Sequence, residues 1–162
     1  MNPRTRRFDT RHAGFSLVEV LIALIVMSVG MLGIAGVYVH GMQAGRTSLF
    51  RHHAIALAGD VADRIRANPL AGASYTDTGP VTSAPDPLCL TELCTAEEIA
   101  ASDIWSWDRQ ARDTLPDGDV LVSYAAPAGS GSPALYTVTI TWSEAGETPS
   151  YAIEFPVFEP AL

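Results

Sequence analysis

Hydrophobic and polar positions along this chain fall into three regimes, and each predicts a different element. From Val20 to Val39 no residue is charged, and at about 1.5 Å of rise per residue that run makes roughly 30 Å of helix, the thickness of a bilayer's hydrocarbon core. No proline stands between Pro3 and Pro69, so a single helix is predicted from Ser16 to Ala67. Its second half changes character. Phe50, Ala54, Leu57, Val61 and Ile65 recur at helical spacing while Arg51, Asp60, Asp63 and Arg66 fall elsewhere, the pattern of a helix lying on a globular body. Asn68-Pro69 ends it.

The third regime is mixed. Residues 69–88 are rich in Pro, Gly, Ser, Thr and Ala without a period and read as a surface loop. Thr95 with Glu98 three residues on is a capping box, so a second, short helix is predicted to start there. Its stripe is Ala100, Ile104, Trp107, Ala111 and Leu115, and Leu115-Pro116-Asp117-Gly118 stops it. Trp105 and Trp107 are expected to pack this helix on the body. Asp119–Ala125 then alternates through Val120, Val122 and Tyr124, and Leu135–Trp142 alternates through Tyr136, Val138, Ile140 and Trp142 with threonines between. The segment Ala126–Pro133 connects these two strands, and Glu144-Ala-Gly-Glu147 is a hairpin turn into Tyr151, Ile153 and Phe155. The predicted class is α+β: a long N-terminal helix, apolar in its first half, packed on a small antiparallel sheet of at least three strands with an extra short helix.

Charge sharpens the picture. The 162 residues suit one domain of ordinary size beside the apolar helix. All ten basic residues are arginine, and Arg4, Arg6, Arg7 and Arg11 share the first 14 positions with one acid, Asp9. The remainder holds 6 basic and 17 acidic residues, a formal charge of −11, which argues against nucleic-acid binding. Arginines before the apolar run and acids after it place the N-terminus in the cytoplasm and the body outside. Export in turn favours pairing of Cys89 with Cys94, a six-residue loop for which chain entropy gives about 2 kcal/mol. The spacing is not that of a redox-active pair. With two thiols and every histidine N-terminal to residue 54, zinc has no ligand set. No serine, histidine and acid triad and no phosphate loop stands out, and there is no lysine, so no enzyme, metal or cofactor is indicated. Gly30, Gly33, Gly36, Gly41 and Gly45 crowd the long helix; they suit either close packing between apolar helices or a locally soft stretch.

One residue does not fit a simple membrane anchor. Glu19 sits at the head of the apolar run, where an acid deep in lipid would cost about 3 kcal/mol. A cleaved secretory signal fits no better, because the run is too long and lacks a suitable cleavage site. Gly14-Phe15-Ser16-Leu17-Val18-Glu19, after a basic leader and before an apolar helix, resembles the class III signal of type IV prepilins and of the pseudopilins of type II secretion. That resemblance implies cleavage after Gly14 by a membrane prepilin peptidase, N-methylation of Phe15, and a role for Glu19 in assembly. The chain then divides into a cleaved leader (1–14), a transmembrane and assembly helix (15–45) and an exported pilin body (46–162). Physically, Glu19 can neutralise the amine of a neighbouring subunit's Phe15 in low dielectric and so fix its axial register.

GFSLVEVLIALIVMSVGMLGIAG, followed by AIALAGDVADRIRANP and a close cysteine pair ahead of ASDIWSW, is similar to minor pilins of the PilV family, the type IV pilus modification proteins. This implies a minor pilin that helps to start pilus assembly in a tip complex. Its implied partners are other minor and major pilins, the prepilin peptidase and the inner-membrane assembly platform. Its implied location is the inner membrane, as a single-pass protein with a periplasmic body, and then the pilus tip. A type II secretion pseudopilin and a tip adhesin are the competing readings.

Overall fold

The computed structural model describes residues 14–76, 84, 85, 89, 93–129 and 131–158. The basic leader with its four arginines lies outside the described residues, as does most of the stretch 77–92. The chain forms two compact units, Met1–Ala44 and Gly45–Leu162. Helix α1 runs from Leu17 to Ala67, as the absence of proline and the Asn68-Pro69 stop predict. In the first unit its side chains are exposed throughout.

In the second unit, α1 buries Ala54, Leu57, Ala58, Val61, Ala62 and Ile65, and Phe50 packs partly buried beside them. Small alanines alternate with branched residues along this stripe, which lets the helix backbone sit close to what it covers. Helix α2, Ala96–Thr114, starts at the capping box. The Thr95 hydroxyl accepts from the Glu98 N–H at 3.3 Å, and the Glu98 carboxylate accepts from the Thr95 N–H at 2.8 Å. Its Ala100, Trp107 and Ala111, with Leu115 just beyond, are buried, while Ile104 is only partly so. Of the two tryptophans, Trp107 is core; Trp105 is half-buried under the Arg109 guanidinium, 5.6 Å from its ring.

Strands β1 (Asp119–Ala125), β2 (Ala134–Thr141) and β3 (Ser150–Val157) form an antiparallel sheet in the order β1-β2-β3. The register puts Val122 opposite Val138 and Val138 opposite Ile153, then Tyr124 opposite Tyr136 and Tyr136 opposite Phe155. The three rings of the last row form a ladder, with centroids 5.1 and 5.9 Å apart, and such cross-strand pairs set the register. Tyr136, Val138, Ile140 and Trp142 all face inward, and they share one core with the α1 and α2 stripes.

The expected surface loop after α1 needs correction at its start. Pro69–Tyr75 is a pair of 3₁₀ turns broken at Gly72, and it buries Ala71 and Tyr75. Tyr136 donates to the Gly72 carbonyl at 2.9 Å. Two turns of three residues each show no period in a sequence, so only the burial reveals them.

Two turns explain specific residues. After α2 the left-handed conformation falls on Asp117, with φ 48°. Gly118 is required for another reason: a Cβ there would lie 2.3 Å from the Ala111 carbonyl oxygen. In the hairpin, Glu144 and Glu147 exchange backbone hydrogen bonds of 3.0 and 2.9 Å, and Ala145 (φ 52°) and Gly146 (φ 86°) both have positive φ. That is a type I′ turn, in which alanine is the strained choice. Gly118→Ala is expected to cost about 2 kcal/mol through overlap with backbone, whereas Ala145→Gly should gain roughly 1 kcal/mol by relieving the left-handed strain. Thermal melts of the purified full chain in detergent check both signs.

Candidate functional site: the head of α1 and the junction that positions its far end

The residues singled out at the N-terminus lie within one turn and a half of each other. Gly14 and Phe15 precede α1, Phe15 is 83 % exposed, and Glu19 occupies the first helical turn with its side chain exposed. Ser16 opens the helix: its hydroxyl accepts from the Val18 N–H at 3.3 Å. A carboxylate in the first turn is favoured by the unpaired N–H groups and the dipole of the helix end. Among the described residues Glu19 makes no ion pair. The arrangement is therefore an open backbone at Gly14 beside an acid that nothing described within the chain neutralises.

The apolar run that follows is the one described helix long and apolar enough to cross a membrane, and none of its most apolar window is buried. Gly30, Gly33 and Gly41 line an open apolar hollow on it with Ile34, Val37, Tyr38 and Met42. A Cβ added at any of these glycines would meet nothing within 4 Å. No described packing within the chain requires glycine here; open surface of this kind suits close approach of other helices, where small residues let backbones meet, as well as a locally soft stretch.

The sequence did not disclose a second constellation, at the far end of α1. Arg64 of α1 donates to Asp103 of α2 at 2.9 Å, and Tyr75 of the 3₁₀ segment donates to the other oxygen of Asp103 at 3.0 Å. Asn68 donates both to the Tyr75 hydroxyl, at 3.1 Å, and to the Ala96 carbonyl, at 2.8 Å. Asp103 is 8 % exposed and Tyr75 fully buried, and Trp107 stacks on the Tyr75 ring at 5.7 Å. Asp108, also buried, pairs with Arg112 one turn on, through contacts of 2.7 and 2.6 Å. Burial raises the Tyr75 hydroxyl well above the usual phenol range; the bond from Asn68 opposes this and the charge of Asp103 adds to it. Desolvation pulls the Arg64 pKa down, but hydrogen bonds and attraction from Asp103 and Asp60 outweigh it, so Arg64 is raised.

Cys89 and Cys94 form a disulfide with Cα atoms 5.9 Å apart. It ends immediately before the Thr95 cap, and Cys89 borders a small cavity lined also by Arg64, Asp103 and Trp105. The disulfide and the polar junction thus belong to one neighbourhood of the body. The described residues contain no cluster of three or more metal-ligating side chains. Asp103 and Asp108 each bind their own arginine and do not form an acid–base pair.

Family comparisons agree with this anatomy. Residues 9–35 match the model of the prokaryotic N-terminal methylation motif, and residues 36–105 match that of the type IV pilin Tt1218 family. No curated protein and no solved structure matches the chain. An exposed apolar helix headed by glycine, an aromatic and a first-turn glutamate, joined to a helix-on-sheet body, defines a membrane-anchored assembly subunit. The chain is a type IV pilin with a class III prepilin signal, a member of a family of structural proteins. Such a signal implies processing by prepilin peptidase and assembly with other pilins.

Because the fold holds Tyr75 neutral while the unfolded chain ionises near pH 10, this residue's contribution is full below about pH 10 and is lost as pH climbs from there toward its folded pKa. Tyr75→Phe should cost roughly 1–2 kcal/mol at pH 7, by leaving an oxygen of Asp103 and the Asn68 amide short of a partner. It should also flatten the alkaline fall in stability. Melting temperatures of both proteins between pH 7 and about pH 11 check the pair of outcomes.

Proposed function

We propose that this chain is a minor pilin that takes part in starting type IV pilus assembly, in a tip complex with other minor pilins. The single observation that carries the reading is the exposed, unneutralised Glu19 one turn behind Gly14-Phe15 at the head of an uncovered apolar helix. Cleavage after Gly14 frees the Phe15 amine, which is then N-methylated. Glu19 then accepts the amine of an adjacent subunit, and the match of one acid to one amine fixes the subunit's height in the bundle. Before assembly the chain is held in the inner membrane by α1, with its N-terminus cytoplasmic and its body in the periplasm. The assembly platform is its partner at that stage, and the reading assigns it no catalytic role and no cofactor.

The minor role is supported by the position of the disulfide. It closes a short central loop at the cap of α2, whereas main subunits resembling this family close a C-terminal loop.

Glu19→Ala is expected to be cleaved after Gly14 as efficiently as the parent chain yet to be missing from sheared filaments, with at least a tenfold loss by immunoblot on the scale of one unpaired buried charge. Normal incorporation would refute the pairing. Deleting the chain should lower surface pili and blocking retraction should partly restore them; unchanged pili with secreted enzymes trapped in the periplasm would instead identify a type II secretion pseudopilin.

A further inference from the structure

The core of the body is closed along β1 and left open along β3. Two rows of side chains cross the inner face of the sheet, Val120 with Ile140 and Tyr151, and Val122 with Val138 and Ile153. In both rows the β1 and β2 members are buried, whereas Tyr151 and Ile153 of β3 stay partly exposed. Helix α1 leaves the same side uncovered. Its Ile55 is 45 % exposed and lies about 20° around the helix from Arg66, the residue that reaches the Phe155 ring of β3. Apolar surface is therefore left bare on the side of the sheet where a fourth strand would close the core.

The backbone of β3 is open along that edge as well. Trp142 donates to the Pro149 carbonyl, and Glu144 and Glu147 exchange both of their bonds. In an antiparallel pair such hydrogen-bonded positions recur every second residue, so they fall next on Ile140 with Tyr151, Val138 with Ile153 and Tyr136 with Phe155. The residues between them, Ser150, Ala152 and Glu154, turn their N–H and C=O groups away from β2. Among the described residues β3 is the last strand of the sheet, and no described backbone group accepts from these three amides. Pro156 belongs to the same outward set, and its missing N–H ends the row of donors. An edge with three free donors beside bare apolar surface is a template for another strand.

We infer that the β3 edge receives an extended strand of a different protein chain, apolar on its inward face and carrying a lysine or arginine where it passes Glu154. Main-chain pairing with Ser150, Ala152 and Glu154 aligns the strand, and its inward side chains cover Tyr151 and Ile153 on the side that Ile55 borders. Charge complementarity selects the occupant. Residues 45–162 hold 6 arginines and 16 acids, a formal charge of −10, and the exposed Glu154 makes no ion pair among the described residues. A second copy would bring the same charge and be repelled. A basic residue opposite Glu154 instead forms a favourable cross-strand pair. The inference concerns the body alone and goes beyond the place in the pilus proposed above.

The test uses the full chain in detergent and two short acetylated peptides of alternating valine and threonine, one with lysine and one with glutamate in place of the central threonines. Amide hydrogen exchange along β3 is followed by nuclear magnetic resonance. The lysine peptide should slow exchange at Ser150, Ala152 and Glu154 about tenfold or more and should bind about threefold or more tighter than the glutamate peptide. Glu154→Lys should reverse that preference. Ala152→Pro removes an outward N–H without touching the β2 ladder and should weaken lysine-peptide binding about tenfold. Thermal melts show which variants are folded, and Glu154→Lys decides alone if the proline variant is not. No slowing with either peptide, slowing at β1 instead, or full binding by folded Ala152→Pro overturns the docking edge. An unchanged preference in Glu154→Lys overturns the basic partner. Dimers of the chain with slowed β3 exchange in the absence of peptide make the occupant a second copy and overturn a different chain.

Discussion

A carboxylate taken out of water has to be compensated, and in this pilin Asp103 is compensated from two directions at once. Arg64 comes from α1 and Tyr75 from the 3₁₀ segment, so the end of the long helix, the turn that leaves it and the face of α2 have to arrive together. Asn68 adds a third tie, from the last residue before the turn to the first residue of α2. Removal of one partner would leave the others desolvated and unsatisfied, which makes the junction cooperative. The sheet depends on it as well, since Tyr136 of the central strand bonds the backbone at Gly72 inside the same segment.

Around that junction the body uses ordinary hydrophobic packing. Stripes from α1 and α2 meet the inner face of the sheet in one core, and the aromatic row Tyr124, Tyr136 and Phe155 runs across all three strands. Arg66 of α1 lies 4.6 Å over the Phe155 ring, so the last turn of the helix contributes a cation to the edge of that row. The disulfide sits just ahead of the α2 cap and beside the Arg64–Asp103 pair, which limits the freedom of the chain where the helix must start.

The first half of α1 follows the opposite rule. Nothing described in the chain covers it, its glycines pack against nothing, and its only acid stands at its head. An apolar helix in this state is completed by lipid or by other helices, and its residues suit both: length for the bilayer and small residues that permit close approach.

Much of this was legible in one dimension because it depends on neighbours in sequence. The capping box at Thr95, the hairpin turn at Glu144–Glu147, the alternation of β2, the stripe from Ala54 to Ile65 and the prepilin signal are all local patterns whose physics is complete within a few residues. What the sequence left undetermined is non-local. Asp103 sits on a polar-looking stretch of α2 and became a buried anchor only because Arg64 and Tyr75, 39 and 28 residues away, converge on it. Pro69–Tyr75 looked like loop because its order comes from burial against Trp107 and Tyr136 and from no period of its own. Gly118 seemed a conformational stop and proved to be a contact with the Ala111 carbonyl. The sequence by itself determined the elements, the class and the signal, since propensity, capping and hydrophobic period act locally; the tertiary structure decided which polar groups are buried together, because satisfying them requires partners that only the folded chain brings into reach.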